Sequence, residues 1–506
     1  MTLVRGPSIF PCIAMRSIAA ALPVIGVVCG LTVSAPAAQA APSSLVSVTY
    51  SSTRALERTT AGSAVLLRTI PELHVAELRP TDPTFAANLR HFPGITGVTR
   101  VVERSPAVEP ALVATTAFGA PYEWQYGAVH LDAVPAWVLR AAASVTIAVI
   151  DTGADLGAPD LGAKNPRTYN VRLGTSDVRD PNGHGTFVSS LAAGSVTNGT
   201  GMAGFGGDAR LLVIKGSRDD GTLSDFDEAS GIVYAVEHGA RVINLSVGGP
   251  STSLVERRGI EYAAQHGALV VAAAGNEHEA GNPVEYPAAL LQPVGSNGRG
   301  GVGLAVGASS SDGTRAFFSN TGSQLSLLAP GDDVFGALST LSPADDYPRS
   351  DLPGAGGGLY GYASGTSFAT PEVAGAATLV MAANPLLRAT EVAEILKQTA
   401  ANQGSWNADT GYGVLDVAAA VTAAQGKARL VVSGVRLRGR IKVEWAAVGA
   451  SRYRLTMRVD RRPSRVLLPD TTTTSTTVAV RRGHRYVFTV TELDGGAASA
   501  SYSVRA

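Results

Sequence analysis

The sequence GTSFATP at residues 365–371 leads into an apolar, alanine-rich stretch that ends at Ala383. This stretch predicts a buried helix over 371–383, with Ser367 at its entrance. A serine in that position is commonly a helix N-cap with a purely structural role. It also lies where the helix dipole favours negative charge on the hydroxyl oxygen. Ser367 is therefore a candidate nucleophile, provided that a base lies beside it.

Two earlier segments supply the base and the carboxylate that such a nucleophile needs. The sequence NGHGT at 182–186 places His184 between two glycines, and VIDTG at 149–153 ends an apolar strand with Asp151. A hydroxyl is a poor nucleophile unless an imidazole takes its proton, and the imidazole needs a carboxylate that fixes its tautomer. Singly, His184 could be a loop histidine and Asp151 a turn or helix-cap residue. Together with Ser367 they predict an Asp–His–Ser set.

A fourth segment offers a hydrogen-bond donor for the same chemistry. The sequence AAAGN at 272–276 ends an apolar strand with Gly-Asn. A side-chain amide at Asn276 could donate to the oxyanion that forms during acyl transfer. Taken alone, Asn276 would be interpreted as a turn residue.

Buried strands and amphipathic helices alternate through this part of the chain, whose 506 residues are 45% hydrophobic and 16% charged. That composition excludes a wholly disordered protein and suggests two to four domains. The alternation predicts an α/β fold with a mostly parallel sheet, helices on both faces, and catalytic groups at the carboxyl ends of strands. The predicted strands are 145–150, 211–214, 242–245, 269–274 and 304–306. The predicted helices are 187–193, 227–238, 254–266, 371–383 and 390–401.

These motifs resemble those of the subtilisin-like serine proteases (subtilases, peptidase family S8). The sequences DTG at 151–153, HGT at 184–186 and GTSxAxP at 365–371 occur in the family's order, which differs from the orders of chymotrypsin-like enzymes and α/β-hydrolases. An α/β-hydrolase elbow would need G-x-S-x-G, but Ala369 occupies the second glycine position. The resemblance covers about residues 118–426.

The resemblance implies a secreted serine endopeptidase that hydrolyses peptide bonds through an acyl-enzyme. It implies Ser367 as nucleophile, His184 as general base and acid, Asp151 as the orienting carboxylate and Asn276 as the oxyanion donor. The implied substrate-binding residues are Ser246, Val247 and Gly248, which would pair with an extended substrate, and Ala274, Gly275 and Glu285, which would form the pocket for the residue before the cut.

Glu285 departs from the neutral pocket base that the resemblance leads us to expect. A carboxylate there would favour arginine or lysine before the cut, and would suit a processing protease of narrow specificity. The alternative is an exposed loop glutamate that the nearby insertion at 296–303 displaces.

Residues 1–40 have the pattern of a cleaved signal peptide. Two arginines precede an apolar run at 18–33, and an A-x-A site follows at 38–40. The run is short for a membrane span, and no later segment is apolar for long enough. Removal of this segment would also remove Cys12 and Cys29, the only two cysteines. We expect a secreted or cell-wall-associated protein, and the high alanine, glycine and arginine content suggests a bacterial source.

Residues 41–112 read as a small α+β unit and resemble the inhibitor propeptide of the family, chiefly by position, size and the ending GVTRVVE at 97–103. The resemblance implies a segment that assists folding, blocks the cleft as an intramolecular inhibitor and is then cut off. We expect the cut between Ala107 and Ala120, and Arg104 is a less favoured site.

Residues 428–506 have strand patterns only and resemble a fibronectin type III β-sandwich, with Tyr486 as its corner tyrosine. The net charge of zero conceals a difference between regions: residues 113–426 carry 16 basic and 30 acidic residues, and 427–506 carry 16 and 5. The basic module could dock on its acidic neighbour or bind an anionic cell surface. We expect no nucleic-acid partner.

The predicted chemistry requires no cofactor. Calcium is common in the family, but we assign no metal ligand here. The long loop at 338–362 carries Asp345, Asp346 and Asp351 and could be a lid or a cation site, although a solvated loop is the simpler interpretation. An alternative function is a catalytically dead protease scaffold that acts as a surface-binding or adhesion protein.

Overall fold

The computed structural model describes residues 45–505, apart from 61–63, 82, 108–122, 200, 344–346, 348, 350–357, 427–430, 438, 447–451 and 494–498. The predicted signal peptide and both cysteines therefore lie outside the described residues, as do the three loop aspartates considered as a cation site. Within the described ranges, no helix is both long and apolar enough to span a membrane.

The N-terminal region is the small α+β unit that the sequence predicts. Its antiparallel sheet has the strand order β2-β3-β1-β4, and its core contains the fully buried Val48, Leu78 and Leu89. Its elements are β1 Val46–Tyr50, α1 Thr53–Thr60, β2 Ala64–Ile70, β3 Val75–Pro80, α2 Pro83–Asn88 and β4 Ile95–Arg100, and a further strand, β5 Glu103–Pro106, follows them.

The central region is built on a seven-stranded sheet with the order β14-β13-β12-β10-β6-β8-β7, in which all neighbours are parallel. The five predicted strands correspond to β6, β8, β10, β12 and β13, and the two that the apolar pattern missed lie at the edges. The strands of this region are β6 Thr146–Asp151, β7 Arg167–Asn170, β8 Arg210–Lys215, β9 Leu223–Ser224, β10 Ala240–Leu245, β11 Val247–Gly248, β12 Leu269–Ala273, β13 Gly303–Ser309, β14 Leu327–Pro330, β15 Val334–Ala337 and β16 Tyr360–Ala363.

Helices cover both faces of this sheet, which confirms the predicted α/β class. Alternate residues of β6 enter two separate cores: Val149 packs on the side of α6 and α10, and Ile150 on the side of α7 and α8. The helices of this region are α3 Trp124–Ala128, α4 Ala136–Ala141, α5 Pro159–Lys164, α6 His184–Ala193, α7 Asp225–Glu237, α8 Leu254–Gln265, α9 Ala288–Leu291, α10 Thr366–Ala383, α11 Ala389–Thr399 and α12 Val417–Gly426.

Helix α10 begins at Thr366, five residues before the start that the sequence predicts, and Pro371 lies inside it. A proline has no N–H to donate to the carbonyl four residues earlier, here that of Ser367. That carbonyl instead accepts a hydrogen bond from the Ser246 hydroxyl at 2.7 Å. This contact allows the helix to continue through Pro371 and ties its first turn to the end of β10.

The C-terminal region is a sandwich of two antiparallel sheets, with the orders β17-β18-β21 and β20-β19-β22-β23. Trp445 and Phe488 lie in its core, and the Tyr486 hydroxyl accepts a 2.8 Å hydrogen bond from the backbone N–H of Arg481, as a corner tyrosine does. The strands are β17 Val431–Leu437, β18 Arg440–Ala446, β19 Tyr453–Val459, β20 Arg465–Thr471, β21 Ser475–Ala479, β22 Arg485–Glu492 and β23 Ser499–Arg505.

Candidate active site

Asp151 and His184 are directly hydrogen-bonded. Asp151 ends β6, His184 begins α6, and 2.7 Å separates the carboxylate Oδ1 from the ring Nδ1, with both side chains buried. The neighbouring glycines make this approach possible, because a Cβ on Gly185 would lie 2.3 Å from the carbonyl oxygen of Gly153. The backbone N–H of Thr152 also donates to the same carboxylate oxygen at 2.7 Å.

Ser367 lies beside this pair, at the second residue of α10. The ring of His184 packs against Phe368, with ring centroids 5.6 Å apart. The Ser367 hydroxyl donates to the backbone carbonyl of Ser246 at 2.8 Å, and the buried Nε2 of His184 has no hydrogen-bond partner among the described residues. The structure therefore brings the three side chains to one place but shows no Ser367–His184 hydrogen bond, because the Ser367 hydroxyl points to the Ser246 carbonyl.

Asn276 is held with its donor group unused. Its Oδ1 accepts hydrogen bonds from the backbone N–H and the hydroxyl of Thr366, at 2.9 and 2.8 Å. Its buried Nδ2 has no hydrogen-bond partner in the part of the chain that the structure describes. Because a buried amide without a partner is costly, an amide fixed in this way is suited to receive an oxygen that arrives during a reaction.

A segment of the same chain occupies the cleft in extended form. Strand β5 lies between β11 and β9 in a three-stranded antiparallel sheet, with Pro106 opposite Val247 and Ser105 opposite Gly248. The backbone N–H of Ala107 continues the ladder to the Ser246 carbonyl at 3.4 Å. The strand expected to pair with substrate therefore pairs with residues 105–107 of this chain.

The carbonyl of Ala107 is the group that this segment presents to Ser367. Its oxygen accepts a hydrogen bond from the backbone N–H of Ser367 at 3.2 Å. The peptide bond beside Ser367 is thus the one that follows Ala107, at the lower limit of the predicted cut range, whereas Arg104 lies three residues away from it. The residues after Ala107, 108–122, lie outside the described part of the chain.

Glu285 is buried between the two predicted pocket walls. A Cβ on Gly248 would lie 2.9 Å from its Oε2, and a Cβ on Gly275 would lie 2.6 Å from its Cγ. Burial, with a smaller contribution from Glu277, raises the pKa of Glu285 to about 7, although Arg104 opposes the shift. Glu285 is 6% exposed, so the alternative of an exposed loop glutamate is wrong.

One part of the cleft was not expected from the sequence. The side chain of Arg104, which is 1% exposed, lies among Asp225 and Glu228 of α7 and Glu256 of α8, all three buried. The sequence feature that could have predicted this acidic cluster is DFDE at 225–228, which places three acidic residues in the first turn of a helix. Such a cluster is more often interpreted as favourable pairing with the helix dipole.

No metal centre is identified near these residues. Among the residues that the structure describes, no three or more His, Cys, Asp or Glu side chains are grouped so that they could hold a metal ion. We therefore assign no ligand for structural calcium, as in the sequence analysis.

The geometry is that of a serine hydrolase site on a parallel α/β sheet, and the comparisons with known proteins agree with it. The subtilase family model (Peptidase S8) matches residues 142–413, more than half of the chain. The chain belongs to the subtilase family and is a subtilisin-like serine endopeptidase.

Individual relatives support the same assignment. A thermophilic serine proteinase of Bacillus sp. (strain AK1) is 33% identical over 302 residues, which are 59% of this chain and 67% of that protein. A subtilisin of Bacillus pumilus is 33% identical over 279 residues, 55% of this chain and 90% of that one. The crystal structure of fervidolysin from Fervidobacterium pennivorans, a keratinolytic enzyme related to subtilisin, matches with a TM-score of 0.64 at 20% identity, over 91% of this chain and 76% of that one, which shows the fold alone.

Proposed function

We propose that this protein is a secreted endopeptidase made as a zymogen, which activates itself by cutting between Ala107 and Val108. The observation that carries this proposal is the hydrogen bond from the Ser367 N–H to the Ala107 carbonyl oxygen, with β5 in extended pairing on either side of the cleft. A substrate held in this way presents its carbonyl carbon to the serine hydroxyl and its carbonyl oxygen to the oxyanion donors.

The proposed reaction uses the four residues at this carbonyl. The Ser367 hydroxyl leaves the Ser246 carbonyl and gives its proton to Nε2 of His184 as its oxygen bonds to the carbonyl carbon. Asp151 stabilises the imidazolium, while the Ser367 N–H and Asn276 Nδ2 stabilise the oxyanion. His184 then protonates the leaving amine of Val108 as the C–N bond breaks, and water hydrolyses the acyl-enzyme.

The segment before the cut would act as the intramolecular inhibitor after cleavage. Its β5 ladder covers the site, and Ile70 and Val75 pack against Phe226 of α7 in a shared apolar cluster. Arg68 forms an ion pair with the buried Asp227. We therefore propose residues 41–107 as the propeptide, five residues shorter than the sequence-based boundary at 112.

The proposal is tested with the protein secreted from the whole chain. A fluorophosphonate probe should label Ser367, identified by peptide mass spectrometry, and the same sample should hydrolyse casein. A folded secreted protein that neither reacts with the probe nor cleaves casein would instead support the dead-scaffold alternative.

We also propose that Glu285 gives the enzyme a preference for arginine or lysine immediately before the cut. The Glu285 side chain lies between Gly248 and Gly275, two of the residues proposed to contact the residue before the cut, and the small Ala107 occupies that position here. Arg104 of the same segment opposes the rise in the pKa of Glu285 that burial causes, whereas Ala107 brings no charge to it. A longer basic side chain would place its charge near this carboxylate.

The preference for a basic residue should depend on pH. With β5 in the cleft the pKa of Glu285 is raised to about 7, and we expect the group in the mature enzyme also to change from mostly neutral at pH 6 to mostly ionised at pH 8. The ratio of kcat/KM for peptides with arginine to those with leucine before the cut should therefore rise roughly tenfold over this range. Glu285→Gln should make the ratio low and independent of pH, whereas Glu279→Gln, at an exposed glutamate nearby, should not. A pH-independent ratio in the unmodified enzyme would contradict the proposal.

The C-terminal module is proposed to hold the enzyme at an anionic cell surface. The ion pairs Lys442–Glu444, Arg452–Asp470 and His484–Asp460 are internal to the module, while Arg481 and Arg482 are exposed. The excess of basic residues is thus available for an anionic partner. Cell binding should weaken as salt is raised, because exposed charges are screened.

A further inference from the structure

We propose that this endopeptidase selects substrates with an arginine at the fourth position before the cut, bound by a buried carboxylate pocket of Asp225, Glu228 and Glu256. The inference rests on the proposed cut after Ala107, because Arg104 is then the fourth residue before the cut. It adds a specificity site built from acidic residues other than Glu285.

The contacts of Arg104 define the pocket. Its Nε donates to Glu256 Oε1 at 3.0 Å, its Nη2 donates to the same oxygen, and its Nε lies 3.8 Å from Glu228 Oε2. Both carboxylates are completely buried. Glu256 is fixed from its other side by the Thr252 hydroxyl, which donates to Oε2. The guanidinium is thus recognised by charge and by directed hydrogen bonds.

The acidic residues belong to the protease region and would remain there when the propeptide leaves. Arg104 stands opposite Leu223 of β9, and the first turns of α7 and α8 supply the carboxylates around it. Within the described ranges, Arg104 is the basic residue that pairs with Glu228 and Glu256. Its departure would open the pocket and leave these acidic side chains close together without a counter-charge, which is unfavourable.

A substrate can restore this missing charge most completely with an arginine. A lysine carries a single ammonium group that cannot reproduce the two N–H contacts of the guanidinium. A leucine would fill space but leave the carboxylates unpaired, so the order of preference should be arginine, lysine and then neutral residues. A pocket that only held the propeptide would bind Arg104 without affecting other substrates. The proposed pocket should also select among foreign peptides.

The first experiment uses the unmodified enzyme matured from the whole chain. Quenched fluorescent peptides would carry X-Ser-Pro-Ala before a common leaving sequence, with X as arginine, lysine, citrulline or leucine. We expect kcat/KM for arginine to exceed that for citrulline and leucine at least tenfold, since citrulline keeps the shape and removes the charge. Equal cleavage of the arginine and citrulline peptides would overturn the inference. Failure of the proposed function would look different, because no peptide would then be cut.

A matched pair of variants tests the pocket itself. Glu256→Gln should reduce the arginine-to-citrulline ratio of kcat/KM to about threefold or less, whereas Glu261→Gln, at an exposed glutamate on the same helix, should preserve it. An unchanged ratio in Glu256→Gln would overturn the assignment of the pocket. If Glu256→Gln fails to mature because Arg104 has lost its partner, the peptide series with the unmodified enzyme decides the question alone.

Discussion

Ser367→Ala should abolish casein hydrolysis and leave the propeptide uncut. The hydroxyl is the proposed nucleophile, and loss of the corresponding serine in subtilisin lowers kcat about 10⁶-fold. The variant should still fold, because the Ser367 hydroxyl makes one hydrogen bond, to the Ser246 carbonyl, while the backbone N–H that contacts Ala107 remains. Gel electrophoresis and intact mass of the expressed protein would measure the processing.

A suitable control is Ser189→Ala. Ser189 is a buried serine of α6 whose hydroxyl has no hydrogen-bond partner among the described residues, so its loss should change neither processing nor activity. If Ser367→Ala were processed at the same bond, or kept measurable hydrolysis of casein, the nucleophile would have to be another residue.

Asp151→Asn should lower kcat about 10⁴-fold with a much smaller effect on KM. The asparagine amide has nearly the size of the carboxylate but can present an N–H to Nδ1 of His184, which accepts it only in the tautomer that carries its proton on Nε2. In that tautomer the imidazole cannot take the serine proton. We expect this change of tautomer because Asp151 Oδ1 lies 2.7 Å from His184 Nδ1, so the new amide would face that nitrogen directly.

Steady-state kinetics on a peptide substrate would measure the loss, with Asp312→Asn at an exposed turn as the control. Retention of more than a tenth of the kcat of the unmodified enzyme would contradict the orienting role of Asp151. A loss confined to KM would indicate that the residue supports binding rather than proton transfer.

The sequence predicts those parts of the fold that depend on the pattern of neighbouring residues. The buried apolar strands and the motifs around Asp151, His184 and Ser367 need no long-range information, because each motif follows a strand or begins a helix. The start of α10 was predicted too late, since the hydroxyl of Ser246, more than a hundred residues away, replaces the hydrogen bond that Pro371 cannot make.

The contents of the cleft could not be predicted from local pattern. Strand β5 lies against the first turns of two helices, and this brings Arg104 next to Glu228 and Glu256. No spacing of residues in the sequence predicts that contact. From the sequence, the hypothesis of a basic preference rested chiefly on Glu285. The structure adds a second acidic pocket, and the two together suggest a protease that recognises basic residues at two separate positions.

The most direct test of the account is the N-terminal residue of the first cleavage product in a time course of maturation. Edman sequencing or peptide mass spectrometry of the protease fragment should give Val108, and no such fragment should form in Ser367→Ala. A first fragment that begins at Ser105, after Arg104, or at any residue beyond Val108 would contradict the assignment of Ala107 to the position before the cut, on which the proposed function and the arginine pocket both depend.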